Sequence, residues 1–391
     1  MAYGQQQQTV SAQEAGRPQP QTTVEANGGP FLRHTQPGRA TQYSTGAQAL
    51  GSVITNPLVA RPGYFRNFRV THTFSGGSQS GATVAADAPF NVSALTTLKD
   101  AFGTPLIIGD GYTVSNLLPI YSGGFGLNNG TNFASNLPSY TALNAAGSAG
   151  SFSYALPLEF AKGYGVLSAA NASLLPTLQF NLATQATVFT GTITGTAPSV
   201  STTVSSDFYW LPEGVNGAAA EPPGLGTTRQ WLVQQANPQI SGGSAARLQF
   251  PRMGGYLDTI IVTIRDSNGA RSDSFMPTRP ILYVDGVPLI DTLWTELQDD
   301  MAIQYGFGGS SSSGLVNSTR PTGTMVFSRK TSLNQQSLGL LDTGEQYLST
   351  NPGTLVELAG SPWNGSGTAT ANVCVGQIVP TGALVTGLPE L

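Results

Sequence analysis

Charge is scarce in this chain: only 10% of its 391 residues are Asp, Glu, Lys or Arg, against about 25% in ordinary soluble domains. A surface so poor in ions can be buried against other copies without desolvating many charges. Cysteine is almost absent too. Cys374 stands alone, which excludes a disulfide framework and a cysteine-based metal site. Its setting, Ala371-Asn372-Val373-Cys374-Val375, is strand-like, and a buried small hydrophobe is expected there. Histidine occurs only as His34 and His72, too few for a His-rich metal cluster. Neither has the motif that a Ser-His-Asp or Cys-His nucleophile system would need. No stretch approaches the roughly 18 apolar residues that span a bilayer. The N-terminus MAYGQQQQTVSAQEAG has no apolar h-region, so it does not read as a secretory signal, and synthesis in a reducing cytoplasm is expected. No cofactor is expected either: GGFGLNNG (123–130) departs from the dinucleotide fingerprint, and no Walker A sequence occurs.

Glycine and proline, by contrast, are plentiful, at 48 and 26 residues. They punctuate short apolar stretches, as frequent turns between strands require. Tyr64–Phe74 alternates apolar and polar at period 2 and ends at Gly76-Gly77. Strand character returns at Asn91–Thr97, Pro105–Ile108, Ser153–Phe160, Leu174–Leu182, Thr187–Ile193 and Ser201–Trp210. After the linker EGVNGAAAEPPGLG come Trp231–Val233, Arg247–Phe250, Leu257–Arg265, a hairpin at Asp285-Gly286, and later strands at Met325–Phe327, Gly353–Leu358 and Asn372–Val379. One helix is expected, with Asp291 as N-cap and Leu293, Trp294, Leu297 and Met301 on its apolar face. Residues 122–150 and 306–322 read as surface loops.

The β-rich body thus reads twice. Asp110-Gly111…Leu117-Leu118…Tyr121 is echoed by Asp285-Gly286…Leu289-Ile290…Tyr305, and Leu167-Ser168…Asn171…Leu178 by Leu348-Ser349…Asn351…Leu355. Each half has the length of one jelly roll, a double sheet of eight strands. The expected fold is all-β: an N-terminal arm over 1–50, a first jelly roll over 51–213, a linker over 214–227 and a second roll over 228–391, with few short helices.

The formal net charge of -4 hides an asymmetry. Residues 1–70 carry six arginines (Arg17, Arg33, Arg39, Arg61, Arg66, Arg69) against Glu14 and Glu25, a net of +4, which leaves -8 for the remainder. A basic arm on an acidic body suggests an anionic partner for the arm, whether lipid headgroups, nucleic acid or an acidic neighbour; dispersed arginines that only solubilise a tail are the alternative. The arm is too polar to order alone, so Tyr3, Phe31, Leu32, Tyr43 and Leu50 read as pegs for neighbouring subunits or as parts of a free tail.

Chemistry is hard to place. Glu296, Asp299 and Asp300 could supply a glycosidase pair, but their spacing on an amphipathic helix points to its wet face. Asp207 before Phe208-Tyr209-Trp210 could mark a sugar platform, although a strand end packed by aromatics accounts for it as well. A surface adhesin or lectin-like protein would use Tyr209, Trp210 or Trp363.

The order of several blocks resembles the double jelly-roll major capsid proteins of tailless, internal-membrane icosahedral bacteriophages, the tectivirus type. These blocks are the Gln-rich arm, Ala88–Leu95 leading to Leu117-Leu118, Tyr154–Leu158 with Gly165–Asn171, Leu178–Leu182, and Phe208–Pro212. The resemblance implies a structural protein of the virion shell, without enzymatic activity. It implies homotrimers whose six rolls form a pseudo-hexagonal capsomer, with neighbouring capsomers and penton and minor capsid proteins as partners. The arm would lie beneath, its Arg17, Arg33 and Arg39 touching neighbours and internal membrane lipid. No direct nucleic-acid contact is expected.

Overall fold

A computed structural model describes residues 29–122, 139–160, 163–211, 221–222, 227–233, 238–250, 254–305, 320–328 and 348–380. Sixteen principal strands carry the fold. The first half contributes β1 (Gln36–Ser44), β2 (Val53–Thr55), β3 (Gly63–Ser75), β4 (Ser93–Lys99), β5 (Pro105–Gly109), β6 (Ala149–Pro157), β7 (Thr177–Leu182) and β8 (Ser199–Trp210). The second half contributes β9 (Thr227–Val233), β10 (Arg247–Gln249), β11 (Tyr256–Arg265), β12 (Pro280–Val284), β13 (Val287–Asp291), β14 (Thr324–Ser328), β15 (Val356–Gly360) and β16 (Thr368–Pro380). Shorter strands lie between them, among them the paired Ser80–Val84 and Phe189–Thr194.

The strands form three main sheets. One outer sheet runs β1-β8-β3-β6 and belongs to the first half; the other runs β10-β15-β12-β13 and belongs to the second. Between them a single sheet crosses the whole chain in the order β14-β11-β16-β9-β5-β4-β7-β2. The halves join within it through a parallel pairing of β9 with β5, where Trp231 lies opposite Ile107 and Leu232 opposite Ile108. Everything else in the sheet is antiparallel. The result is two sandwiches in tandem that share one continuous sheet.

Period-2 alternation fills the first sandwich. In β3 the buried positions Phe65, Phe68, Val70, His72 and Phe74 face β4 and β7, whose Leu98, Leu178 and Phe180 are equally buried. β11 is buried along nearly its whole length, Leu257 to Ile264, because it is an internal strand of its sheet, flanked by β14 and β16 and covered on both faces. Cys374 lies buried in β16, and burial pushes its thiol up.

Three local expectations are corrected. Residues from Gly29 on do not wait for a partner: β1 pairs with β8 from Gln36↔Trp210 to Ser44↔Thr203. Backbone pairing along a long strand edge accounts for this ordering, since the β1 side chains are mostly polar. Gly38 belongs there because a Cβ would meet the Phe208 ring at 2.8 Å. The pegs turn inward as well: Phe31 packs edge-on to Tyr64 and Tyr209, while Tyr43 and Leu50 pack on the core, and Tyr3 lies outside the described residues. Second, Asp291 is not the cap of the helix Trp294–Tyr305 but ends β13, holding Arg279 through two bonds of 2.6 and 2.8 Å. The cap is a Thr292–Glu296 pair, in which Glu296 accepts from the Thr292 hydroxyl at 2.6 Å and from the Leu293 amide at 3.0 Å. Third, the two Asp-Gly pairs are not equivalent. Asp285 (φ 48) and Gly286 (φ 79) make the tight turn between β12 and β13, whereas Asp110 opens the helical segment Thr113–Tyr121 by accepting from the Thr113 amide at 3.0 Å.

Candidate functional site

Two regions concentrate the polar chemistry: the seam between the rolls and the anchorage of the N-terminal segment. The seam is built around Arg229 and Asp258, an ion pair whose side chains are 0% and 1% exposed. Asp258 is the extra residue of a bulge in β11, between Leu257↔Gln377 and Thr259↔Gly376. The bulge gives a core strand one residue beyond the ladder count at the position that meets Arg229. The guanidinium also donates to the Ser122 carbonyl at 2.5 Å and lies 4.4 Å over the Trp231 ring. Ser122 ends the helical segment of the first half, so one cation of the second half holds both. Tyr121 and Tyr305 close the cluster edge-on at 4.8 Å, each hydroxyl pushed up by burial.

Farther along the seam Asp87 of the first half receives Arg265 at 2.5 Å and Arg271 at 2.7 Å from the second. Arg271 lies 4.3 Å over Tyr112, and Asn372 donates to Asp110 at 3.0 Å. Asp87, Asp110, Tyr112, Arg265 and Asn372 wall a cavity of about 730 Å³ between the rolls. Burial pushes the Tyr112 hydroxyl up to about 12. Both carboxylates in the wall are held by donors of the fold, which makes this cavity a reinforced joint.

At the other anchorage Glu159 is fully buried. It accepts from Arg66 at 2.6 Å, from the Tyr209 hydroxyl at 2.6 Å and from the Gly163 amide at 2.8 Å. Phe31 covers the Tyr209 ring at 5.2 Å, so the entering chain is clamped here. Of the arm arginines, Arg33 is exposed, while Arg39 pairs with Asp207 at 2.6 Å, alongside Arg69 at 2.8 Å. Arg39 keeps 58% of its side chain exposed. Arg17 lies outside the described residues.

The structure also places the residues considered for other chemistry. Glu296, Asp299 and Asp300 are exposed on their helix, and the capping bonds hold the Glu296 carboxyl below the usual range. Carboxyls in open solvent form no cleft for a glycosidase pair. Tyr209 is 5% exposed and Trp363 0%, so of the aromatics considered as a sugar platform only Trp210, at 40%, faces solvent. Among the described residues no three His, Cys, Asp or Glu side chains group as metal ligands, and no helix is long and apolar enough to cross a membrane.

His72 is enclosed in the first sandwich between Thr202 (2.9 Å) and Tyr154 (3.2 Å), and desolvation lowers its pKa to about 3. The unfolded chain titrates near 6.5, so between these values it binds a proton that the folded chain refuses. Stability from this group is complete above about pH 6.5 and is lost as the pH falls toward 3. Calorimetry from pH 6.5 to 4.5 should show His72→Gln losing less stability than the parent, by about 2–3 kcal/mol; parallel curves would mean that His72 is hydrated.

Comparison with known proteins gives the fold. No family model matches the chain, and no curated protein does. Among solved structures, the STIV major capsid protein is similar over 90% of this chain and 100% of its own, with TM-score 0.59 and 16% identity. The atomic structure of Sulfolobus Turreted Icosahedral Virus matches over 90% and 94%, at 0.59 and 15%. The PBCV-1 virus capsid matches over 88% and 93%, at 0.57 and 12%. The fold is the double jelly roll, as the strand pattern led one to expect. The seam residues Asp87, Tyr112, Arg229, Asp258, Arg265 and Arg271 were not picked out in the sequence. For one of them a signal existed, since Asp258 interrupts the largely apolar strand YLDTIIVTIR.

Proposed function

We propose that this chain is a major capsid protein, working as a homotrimer whose six rolls make a pseudo-hexagonal tile of an icosahedral virion shell. One observation carries this reading: both rolls, with their shared sheet, follow a viral capsid protein over its entire length. The physical character agrees. The rolls are joined by the partly buried ion pairs of Asp87 with Arg265 and Arg271 and by the bond from Arg229 to the Ser122 carbonyl, as a tile under lateral load needs, and the remaining surface is poor in charge and open to burial against copies of itself. Neighbouring capsomers and penton and minor capsid proteins are the implied partners. The segment before Gly29, with Arg17, together with the exposed Arg33 and Arg39, would reach neighbouring tiles and internal membrane lipid.

Light scattering on the eluted protein should give a trimer, and a stable monomer at micromolar concentration would overturn the reading. Deleting residues 1–28 should leave folded trimers that no longer complete shells. Deleting residues 1–50 should go further and destabilise the fold, because it strips β1 from β8 and removes Phe31 from Tyr209. Equal unfolding midpoints for the two truncations would remove any structural role for residues 29–50.

A further inference from the structure

The crevice between the rolls lies at the end of the molecule opposite the anchorage of Phe31. β3 starts at Gly63, beside the Tyr64 ring on which Phe31 packs, and ends at Ser75. Just beyond it, Gln79 accepts from Gln185 at 2.6 Å, and Gln185 follows the end of β7, where Leu182 pairs with Ser93. In the second half β11 starts at Tyr256, opposite Ile378, which packs with Phe160 near the same anchorage; it ends at Arg265. Ser93 and Arg265 both line the crevice, so each roll brings its far end to it.

Its walls carry acceptors that the fold leaves over. The Asn91 side chain donates to the Thr187 carbonyl at 2.7 Å, and the Asn372 side chain donates to Asp110 at 3.0 Å. Both partners are acceptors, which fixes the orientation of each carboxamide. The Oδ1 atoms of Asn91 and Asn372, one from each roll, are then buried with no donor from the fold, a state that costs about 1–3 kcal/mol. Asp87 takes one arginine on each oxygen, and Asp110 is held by Thr113 and Asn372. A carboxylate offers about four acceptor sites, so each keeps capacity for a further donor. Thr187, Thr190 and Asn268 stand exposed at the edge of the crevice. Charge nearly cancels: Asp87, Asp110 and Asp266, whose carboxylate holds the Asn268 and Ala270 amides, stand against Arg265 and Arg271.

We infer that this crevice binds a neutral saccharide of one or two rings, whose hydroxyls donate to Asn91, Asn372 and Asp110 and meet Thr190 and Asn268 at the edge. A hydroxyl both donates and accepts, so a sugar can satisfy left-over acceptors without bringing charge. An anion would face Asp110, and an apolar ligand would strip water from carboxylates and carboxamides without replacing it. The volume of about 730 Å³ falls within the roughly 300–1,000 Å³ of small-molecule sites. The aromatics Tyr209, Trp210 and Trp363 take no part. The site does not depend on the capsid reading; within that reading, where the arm lies beneath, the crevice opens on the outside of the shell.

The test is saturation-transfer NMR of the full chain with methyl glycosides of glucose, galactose, mannose and N-acetylglucosamine and with lactose and maltose, using glucuronate and spermidine as charged controls. At least one neutral sugar should receive saturation and should raise the thermal midpoint with its concentration. Asn268→Ala should weaken that binding about tenfold, the worth of one hydrogen bond. Ala86→Trp, which fills the crevice from an exposed position, should abolish it. Both variants should keep the parent's oligomeric state and unliganded midpoint. Retention of the protein on beads bearing the same sugar would identify a displayed glycan as the source, and binding of the free sugar alone would identify a soluble saccharide. Absence of saturation in every neutral sugar would overturn the proposal, as would binding that both variants leave unchanged or a preference for glucuronate or spermidine. Each of these failures is compatible with shells that assemble normally, so the capsid reading would stand.

Discussion

Replacing Arg229 with alanine should destabilise the protein by on the order of 3–5 kcal/mol, the usual consequence of leaving one member of a buried ion pair behind. Asp258 is 1% exposed and would lose its counter-ion with no water to replace it. The Ser122 carbonyl would lose a donor, and Trp231 the cation stacked on its ring. Because Arg229 joins strand β9 to the end of the first half's helical segment, the loss should be felt in both rolls as one transition, with a thermal midpoint lower by about 4–6 °C. The double variant Arg229→Met with Asp258→Leu should recover most of the loss, because an apolar pair of similar volume avoids the desolvation cost of two charges. A midpoint for Arg229→Ala within a degree of the parent would mean that water reaches the seam. A double variant no better than the single one would assign the loss to packing rather than charge.

What the sequence disclosed, and what it hid, divides along physical lines. Strands such as Tyr64–Phe74 were legible because each is sandwiched between one wet and one dry face, and period 2 records that. The turn at Asp285-Gly286 was legible because few residues tolerate positive φ. β1 was not, because QPGRATQYS has no apolar face to announce it; its ordering comes from the open edge of β8, more than 150 residues later. The parallel joint of β9 with β5 rests on two residue pairs far apart in sequence, so no local pattern could reveal a continuous middle sheet. The echo of Asp110-Gly111 in Asp285-Gly286 misled because composition repeats where geometry does not: one pair opens a helical segment and the other closes a hairpin. Arg39 illustrates the same limit at the surface. Its sequence neighbours suggest a free cation on a tail, yet the β1–β8 register sets it beside Asp207.

Trp363 shows how far burial can depart from local composition, and it supplies the second large effect. SPWNGSG has the residues of an exposed loop, which made Trp363 a plausible platform for a sugar ring. In the fold the side chain is 0% exposed: its indole donates to the Ala246 carbonyl at 2.8 Å, and its ring lies where a Cβ on Gly360 would come within 2.6 Å. Backbone bonds from Trp363 to Ser244 and from Gly243 to Trp363, at 3.0 and 2.7 Å, fasten the same loop. Trp363→Ala should therefore cost about 3–5 kcal/mol, a buried ring's transfer energy plus the cavity left behind. Trp363→Phe, which keeps most of the volume and loses one hydrogen bond, should cost about 1–2 kcal/mol. A surface platform predicts the opposite pattern, in which both variants unfold with the parent and only ligand binding suffers. Denaturant midpoints of the two variants, ordered Ala below Phe below parent, would place the ring in the core of the second roll; three coincident midpoints would return it to the surface and reopen the adhesin reading.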